Sequence, residues 1–399
     1  MAENQLKLIP LFDTLSNMSI TKNLPPIAQN YNNDFQHAWQ FLYSYRGSEA
    51  TFNSYRREIE RLLQWSWLII NKSIKDINRV DIERFVEFCQ SPPKEWIGVK
   101  NVARFIEKNG SRIPNPKWRP YVISATKHIA TTNYFISQKT LQSIFAILGS
   151  FYNYLIQEDY VNFNPIIQIR QKSKFLRKQQ NLPIIRRLSE LQWNYVIETA
   201  ELMATQNPSI HERTLFIMNS LYGMYLRISE LSASKRWFPQ MGHFYRDADG
   251  NWWFKTVGKG NKERIITVSD AMLEALKRYR QSLNLSPLPS PGENTPLLFK
   301  NHGQGVISST RQIRSIVQRC FDTTMERMQQ DGFTEEAEQL KAATVHWLRH
   351  TGISDDVKYR PREHVRDDAG HSSSAITDKY IDIELRARHA SGKKKLLKT

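Results

Sequence analysis

The chain has 399 residues, 40% of them hydrophobic and 11% aromatic, which excludes a disordered chain and suffices for two domains with their own cores. Lysine and arginine number 56 against 39 acidic residues, a formal charge of +17, and this excess fits a polyanionic partner whose phosphates it would neutralise. Cys89 and Cys320 lie far apart with no CxxC spacing, which excludes a disulfide framework or zinc ribbon. No apolar run reaches the length of a membrane span, and the start, MAENQLKLIPLF, does not read as a secretion signal, so the expectation is a soluble cytoplasmic protein.

Residues 1–34 are mixed and polar, with Pro25, Pro26 and a run of Asn, and read as a tail or short arm. A helical domain is expected over 35–169. Helical spacing places Tyr55, Ile59, Leu62, Leu63 and Trp67 on one face of a helix over 51–67, and Arg56, Arg57 and Arg61 on the other. A second helix over 76–89 carries Val80, Ile82, Phe85 and Phe88, and a third, from 138, carries Leu141, Ile144, Phe145, Leu148, Phe151, Tyr152 and Leu155. Between them, the Pro-, Gly- and Trp-rich stretch at 92–120 reads as a long loop within an insertion near 92–136. The apolar stripes are core; the basic face with Arg56, Arg57 and Arg61 is a candidate DNA contact. Residues 170–187 contain no acidic residue and read as a basic interdomain linker, in which Lys172, Lys174, Arg177 and Lys178 are candidates for lying along a phosphate backbone.

A second domain is expected over 188–385, with a basic tail at 386–399. Helices are expected at 189–205 and 209–222. The period then changes to that of short strands in HFYRD, NWWFKTV and ERIITV, joined by turns at Asp249-Gly250 and at Gly258-Lys259-Gly260-Asn261. Ser269 caps a further helix, residues 284–306 form a Pro/Gly loop, and a helix from about Ser309 carries Arg311, Arg314 and Arg319. The whole is a mainly α, two-domain chain with a small three-stranded antiparallel sheet in the second domain.

The chemistry concentrates in residues 345–381, VHWLRHTGISDDVKYRPREHVRDDAGHSSSAITDKYI. Its opening places His346, Arg349 and His350 close together on a helix; His371 follows a glycine, and Tyr380 comes nine positions later. Individually these residues have ordinary readings: a packing tyrosine, a surface arginine, a capping histidine. Together they suit a phosphate, because a guanidinium grips two oxygens through a planar fork and never loses its charge, while a phenolate can attack the phosphorus. His346 and His350 have the i, i+4 spacing of a metal pair, but the position that HExxH fills with Glu is Trp347, and no metal is expected. GKGNK at 258–262 does not fit a nucleotide-binding GxxxxGK[ST], and DADGN at 247–251 is too short for a calcium loop.

Five motifs in order then resemble the tyrosine recombinases of phage-integrase type: YLRISEL at 225–231, VGKGNKERIITV at 257–268, HWLRH at 346–350, GHSS at 370–373 and the tyrosine of TDKYID at 377–382. The helical pattern ending in Asn164-Pro165 is similar to that family's core-binding domain. The resemblance implies that Arg227 and Arg349 grip the scissile phosphate, that Lys259 protonates the leaving 5′ oxygen, and that His346 and His371 bond to the phosphate or position the nucleophile. It further implies that Glu230 and His350 support the site and that Tyr380 forms a 3′-phosphotyrosyl link, with neither ATP nor another cofactor needed. The partners implied are double-stranded DNA and three further copies of the chain on paired sites, with accessory DNA-bending or directionality proteins an open addition. The expected activity is site-specific recombination, integrating or excising a mobile element; the alternatives are a type IB topoisomerase and an inactive DNA-binding protein of the same fold. The chain departs from the family in 350–370, which is charged where the family has an apolar helix, and in Asp368-Ala369-Gly370, where Leu-Leu-Gly is usual.

Overall fold

In a computed structural model, the chain divides into two compact units, residues 1–180 and 181–399. The structure describes residues 8–18, 25–123, 134, 136–172, 186–258, 262–300, 305–371 and 393. Among these the fold is mainly helical, with a three-stranded antiparallel sheet in the second unit, as expected.

The first unit contains α1 (Pro26–Gln29), α2 (Asn32–Ser44), α3 (Glu49–Leu68), α4 (Arg79–Gln90), α5 (Gln138–Gln157) and α6 (Pro165–Lys172). Every apolar residue expected on one stripe of α5 is buried, and α3 buries Phe52, Ile59, Leu62, Leu63, Trp65 and Trp67. Buried Asp34 of α2 ties the helices together: it accepts hydrogen bonds from Trp67 Nε1 (2.9 Å), Ser73 Oγ (2.7 Å), the Ile74 amide (3.0 Å) and the Tyr160 hydroxyl (2.5 Å). Four donors offset the cost of withdrawing a carboxylate from water.

Three features of this unit differ from expectation. Residues 8–18 are not a tail: Leu11 and Phe12 are buried, Phe12 stacks on Phe35 at 5.0 Å, and Gln64 Nε2 donates to the Ile9 carbonyl at 2.5 Å. The stretch from 92 is partly ordered into strands: β1 (Ile97–Gly98) pairs in parallel with β4 (Tyr121–Val122), and β2 (Phe105–Lys108) pairs with β3 (Ser111–Pro114). Asn109 and Gly110, with φ of 52° and 71°, make the turn of the β2–β3 hairpin; positive φ at both central positions matches the right-handed strand twist. Finally, Arg56 and Arg61 are buried and do not form an exposed basic face. Arg61 donates through Nε (3.0 Å) and Nη2 (2.7 Å) to the Pro120 carbonyl and through Nη1 to Glu58 (2.9 Å), with its guanidinium over the Tyr121 ring. Arg56 donates to the Asp13 carbonyl. Only Arg57 of the three is exposed, so the expected DNA contact through Arg56 and Arg61 is corrected: both hold the first unit together.

The second unit contains α7 (Glu190–Gln206), α8 (Pro208–Gly223), β5 (Phe244–Arg246), β6 (Trp252–Val257), β7 (Glu263–Thr267), α9 (Asp270–Ser282), α10 (Thr310–Gln330), α11 (Thr334–Leu340), α12 (Val345–Asp356) and α13 (Arg362–Ala369). The sheet order is β5-β6-β7, in register Phe254↔Ile266, and Phe244, Phe254 and Ile266 face the helical core. Helix α12 lies against the end of α8 so closely that a Cβ at Gly352 would collide with the Tyr222 carbonyl. That glycine therefore sets how near α12 comes to the turn at 224–230.

Buried Glu58 pairs with both Arg57 and Arg61, but only buried Arg61 also holds the Pro120 carbonyl, so Arg61→Ala should destabilise the first unit by about 3 kcal/mol, whereas exposed Arg57→Ala should cost less than about 1 kcal/mol. Urea unfolding of both variants checks this; equal effects would contradict the placement of Arg61.

Candidate active site

The site is built on a turn. After α8 ends, Tyr225 takes a φ of 50°, unusual for a bulky residue, and the Glu230 amide donates to the Arg227 carbonyl at 2.8 Å. The turn folds the Glu230 side chain back on Arg227. Glu230 is fully buried, and its carboxylate accepts from the Arg227 amide (2.6 Å) and Arg227 Nη1 (3.1 Å). It also accepts from Arg264 on β7, through Nη2 at 2.6 Å and Nε at 3.3 Å. One carboxylate thus holds two guanidinium groups that would otherwise repel each other.

Arg349, on the second turn of α12, is only 2% exposed. It donates to the Tyr225 carbonyl, to the Ala369 carbonyl at 2.5 Å, and to His371 Nε2 at 3.3 Å. A guanidinium has no acceptor, so Nε2 must accept, which makes His371 a neutral imidazole carrying its proton on Nδ1. Arg227 Nη2 donates to the Gly370 carbonyl at 3.2 Å. Both arginines therefore rest on carbonyls at the end of α13. That end requires glycine: Gly370 has a φ of 62°, and a Cβ there would approach Arg264 Cδ to 2.8 Å.

The β6–β7 hairpin reaches the same place. Gly258, whose amide donates to the Lys262 carbonyl at 2.8 Å, is packed so that a Cβ would lie 3.3 Å from Arg227 Nη1 and 3.2 Å from Glu230 Oε1. His346 and His350 meet edge to face, their ring centroids 4.5 Å apart. Burial, reinforced by neighbouring cations, lowers the proton affinity of all three histidines. His371, beside Arg349, Arg227 and Arg264, falls to about 4; His350, beside His346 and Arg349, falls to about 3; His346 shifts the same way beside Arg349, Arg227 and Arg186. The result is a cluster of fixed positive charge with neutral imidazoles around it, which can receive an anion.

Arg227, Glu230, His346, Arg349, His350 and His371 are thus brought together within one unit. Lys259 and Tyr380 lie outside the described residues, as do Lys174, Arg177 and Lys178; Lys172 ends α6. Sequence reasoning missed Arg264, although its signal was present: it shares a strand face with buried Ile266, and an arginine at an inward strand position requires a buried partner. Arg186, an exposed residue whose charge acts on His346 and His350, was read only as part of the linker. Among the described residues no cluster of His, Cys, Asp and Glu is arranged to hold a metal, and no helix is long and apolar enough to cross a membrane.

Residues 192–386 match the phage integrase family. The domain over these residues belongs to that family, the tyrosine recombinases. Tyrosine recombinase XerC of Thermodesulfovibrio yellowstonii is 27% identical over 266 residues, which is 63% of this chain and 73% of the relative. XerC of Leptospira interrogans is 24% identical over 345 residues, 86% of this chain and 93% of the relative. The fold is shared with the XerH site-specific recombinase, solved on a palindromic difH substrate after cleavage: the TM-score is 0.57 at 13% identity, covering 97% of this chain and 98% of that one. The matched region takes in Arg227, Glu230, Arg264, His346, Arg349, His350 and His371, and Arg186 precedes it.

A histidine whose proton affinity is lowered on folding is protonated more readily in the unfolded chain. Stability should therefore be fully present above pH 6.5, the ordinary value, and fall as pH drops toward about 4 for His371 and about 3 for His350. Replacing both with Gln should flatten that part of the urea-midpoint profile; an unchanged slope would contradict the burial of neutral imidazoles.

Proposed function

We propose that this recombinase cuts and rejoins DNA at a specific site through a covalent link between Tyr380 and a 3′ phosphate. The observation that carries the reading is the convergence of Arg227, Arg349 and His371 on one spot: carbonyls at the end of α13 accept from both arginines, and His371 Nε2 accepts from Arg349. Two guanidinium groups fixed by protein acceptors are preorganised for a phosphate with two nonbridging oxygens, and they stabilise the extra charge of a pentavalent transition state without reorganising. Tyr380 attacks as a phenolate, its proton having passed to solvent; its oxygen bonds to phosphorus and the bond to the 5′ oxygen breaks. Lys259 supplies the proton to that leaving oxygen, from a hairpin whose base at Gly258 lies against Arg227 and Glu230. His346 and His371 bond to the phosphate oxygens; the bound anion raises the proton affinity of both rings. The phosphodiester energy is kept in the tyrosyl link, and a 5′ hydroxyl from a partner strand attacks it to complete the exchange.

Strand exchange between two sites requires four cleavages, which fits four copies of the chain on paired duplexes. The biological setting we propose is integration or excision of a mobile element in the cytoplasm, at the nucleoid, with accessory DNA-bending proteins where direction must be set. Exposed Arg57 and the basic stretch with Lys172, Lys174, Arg177 and Lys178 are proposed to add salt-dependent contacts with the DNA backbone.

A duplex site can be selected from random-sequence DNA by binding to the full chain, then nicked to trap covalent complexes. Tyr380→Phe should bind this DNA like wild type and form no covalent adduct, whereas adducts in that variant would place the nucleophile elsewhere. Arg349→Ala should lose cleavage by about 100-fold or more, the cost of removing one preorganised donor; near-normal cleavage would remove Arg349 from the site.

A further inference from the structure

The charged segment between Arg349 and His371, where the chain leaves the family pattern, forms one connected network. The Tyr225 hydroxyl donates to the Asp356 carboxylate. Arg360 Nη1 donates to the Tyr225 hydroxyl at 3.1 Å and to Asp356 Oδ2 at 3.2 Å, and Arg360 Nη2 donates to Asp368 Oδ2 at 2.6 Å. The other oxygen of Asp368 accepts from the Thr267 amide on β7 at 3.1 Å. Asp368 is buried, so this network connects the turn after α8, the end of α12, α13 and the sheet through hydrogen bonds where Leu would pack.

Both ends of the network lead to carbonyls that hold active-site arginines. At one end, the Tyr225 carbonyl accepts from Arg349 and, at 3.4 Å, from Arg264. The φ of 50° that presents this carbonyl is costly for a tyrosine; burial of the ring with Ile353, Val365 and Ala369 and the hydroxyl's bonds to Asp356 and Arg360 hold the residue there. At the other end, the Asp368 carbonyl accepts from Arg264, and the next two carbonyls, of Ala369 and Gly370, carry Arg349 and Arg227. Arg360 joins the two ends through their side chains, bonding the Tyr225 hydroxyl and the Asp368 carboxylate, and it keeps Asp356 and Asp368 paired beside a cluster of cations.

We propose that Arg360 is a positioning residue for DNA cleavage, acting through Tyr225, Asp356 and Asp368 to set the carbonyls that orient Arg349 and Arg227. This rests on the phosphotyrosyl reading above. Arg360 is 30% exposed and buried Asp368 keeps the Thr267 amide as a second donor, so losing Arg360 weakens the fold only in part, whereas a small displacement of an arginine from the phosphate is costly in rate. Its removal should therefore slow chemistry more than it weakens the fold or the binding of DNA.

The test is single-turnover cleavage of the selected, nicked duplex by full-length wild type, Arg360→Met, Arg360→Lys and Tyr225→Phe, with DNA concentration varied. Arg360→Met should cleave about 10- to 100-fold more slowly at saturating DNA, as expected for a misplaced catalytic group, with the half-saturating DNA concentration unchanged. Arg360→Lys, which restores the charge but bridges only one carboxylate at a time, should recover part of the rate, and Tyr225→Phe should fall between wild type and Arg360→Met. A wild-type rate in Arg360→Met, a loss expressed wholly as weaker DNA binding, or a loss that follows unfolding and is not relieved by lysine would each overturn the inference. If wild type itself forms no adduct, the phosphotyrosyl reading fails first and the inference with it.

Discussion

Everything in the candidate site depends on keeping several cations close together without a phosphate present. Bare guanidinium groups at such range repel, and burial makes the repulsion worse. The chain answers with one fully buried carboxylate, Glu230, shared between Arg227 and Arg264, and with main-chain carbonyls for Arg349. Carbonyls carry no net charge, so they orient Arg349 without neutralising it. The site therefore keeps an excess of positive charge, which adds to burial in depressing the proton affinities of His346, His350 and His371.

This division of labour explains why the glycines lie where they do. Gly352 lets α12 approach the Tyr222 carbonyl, Gly258 brings the hairpin base against Arg227, and Gly370 ends α13 with its carbonyl toward Arg227. Each is a place where backbone comes close to a functional group, and a side chain would push that group off its mark. The polar network through Tyr225, Asp356, Arg360 and Asp368 serves the same geometry by different means, with directional bonds in place of apolar packing.

Much of this was legible in the sequence, and for physical reasons. The period of the α5 stripe pointed to a core helix, and the change of period from HFYRD onward announced the sheet. His346, Arg349, His350 and His371 stood out because clustered polar residues on one short stretch have no packing explanation, whereas Arg227 and Glu230 were found only through the resemblance of YLRISEL to the tyrosine recombinases. Arg56 and Arg61 were misread because helical spacing locates a face but not what covers it: the Pro120 carbonyl that accepts from Arg61 comes from 59 residues away. For the same reason residues 8–18 read as a tail, since nothing local shows that Leu11 and Phe12 lie against α3 and α2. The carbonyl acceptors were invisible altogether, because every residue has one and only the fold decides where it points.

The central claim is that this arrangement exists to hold a phosphate for attack by Tyr380. The most direct measurement is to digest the trapped protein–DNA complex with trypsin and nuclease and find by mass spectrometry which peptide carries the nucleotide. The account predicts a phosphotyrosyl nucleotide on Tyr380, in the peptide spanning 380–386. A nucleotide on any other residue, or cleavage that leaves none, would contradict it.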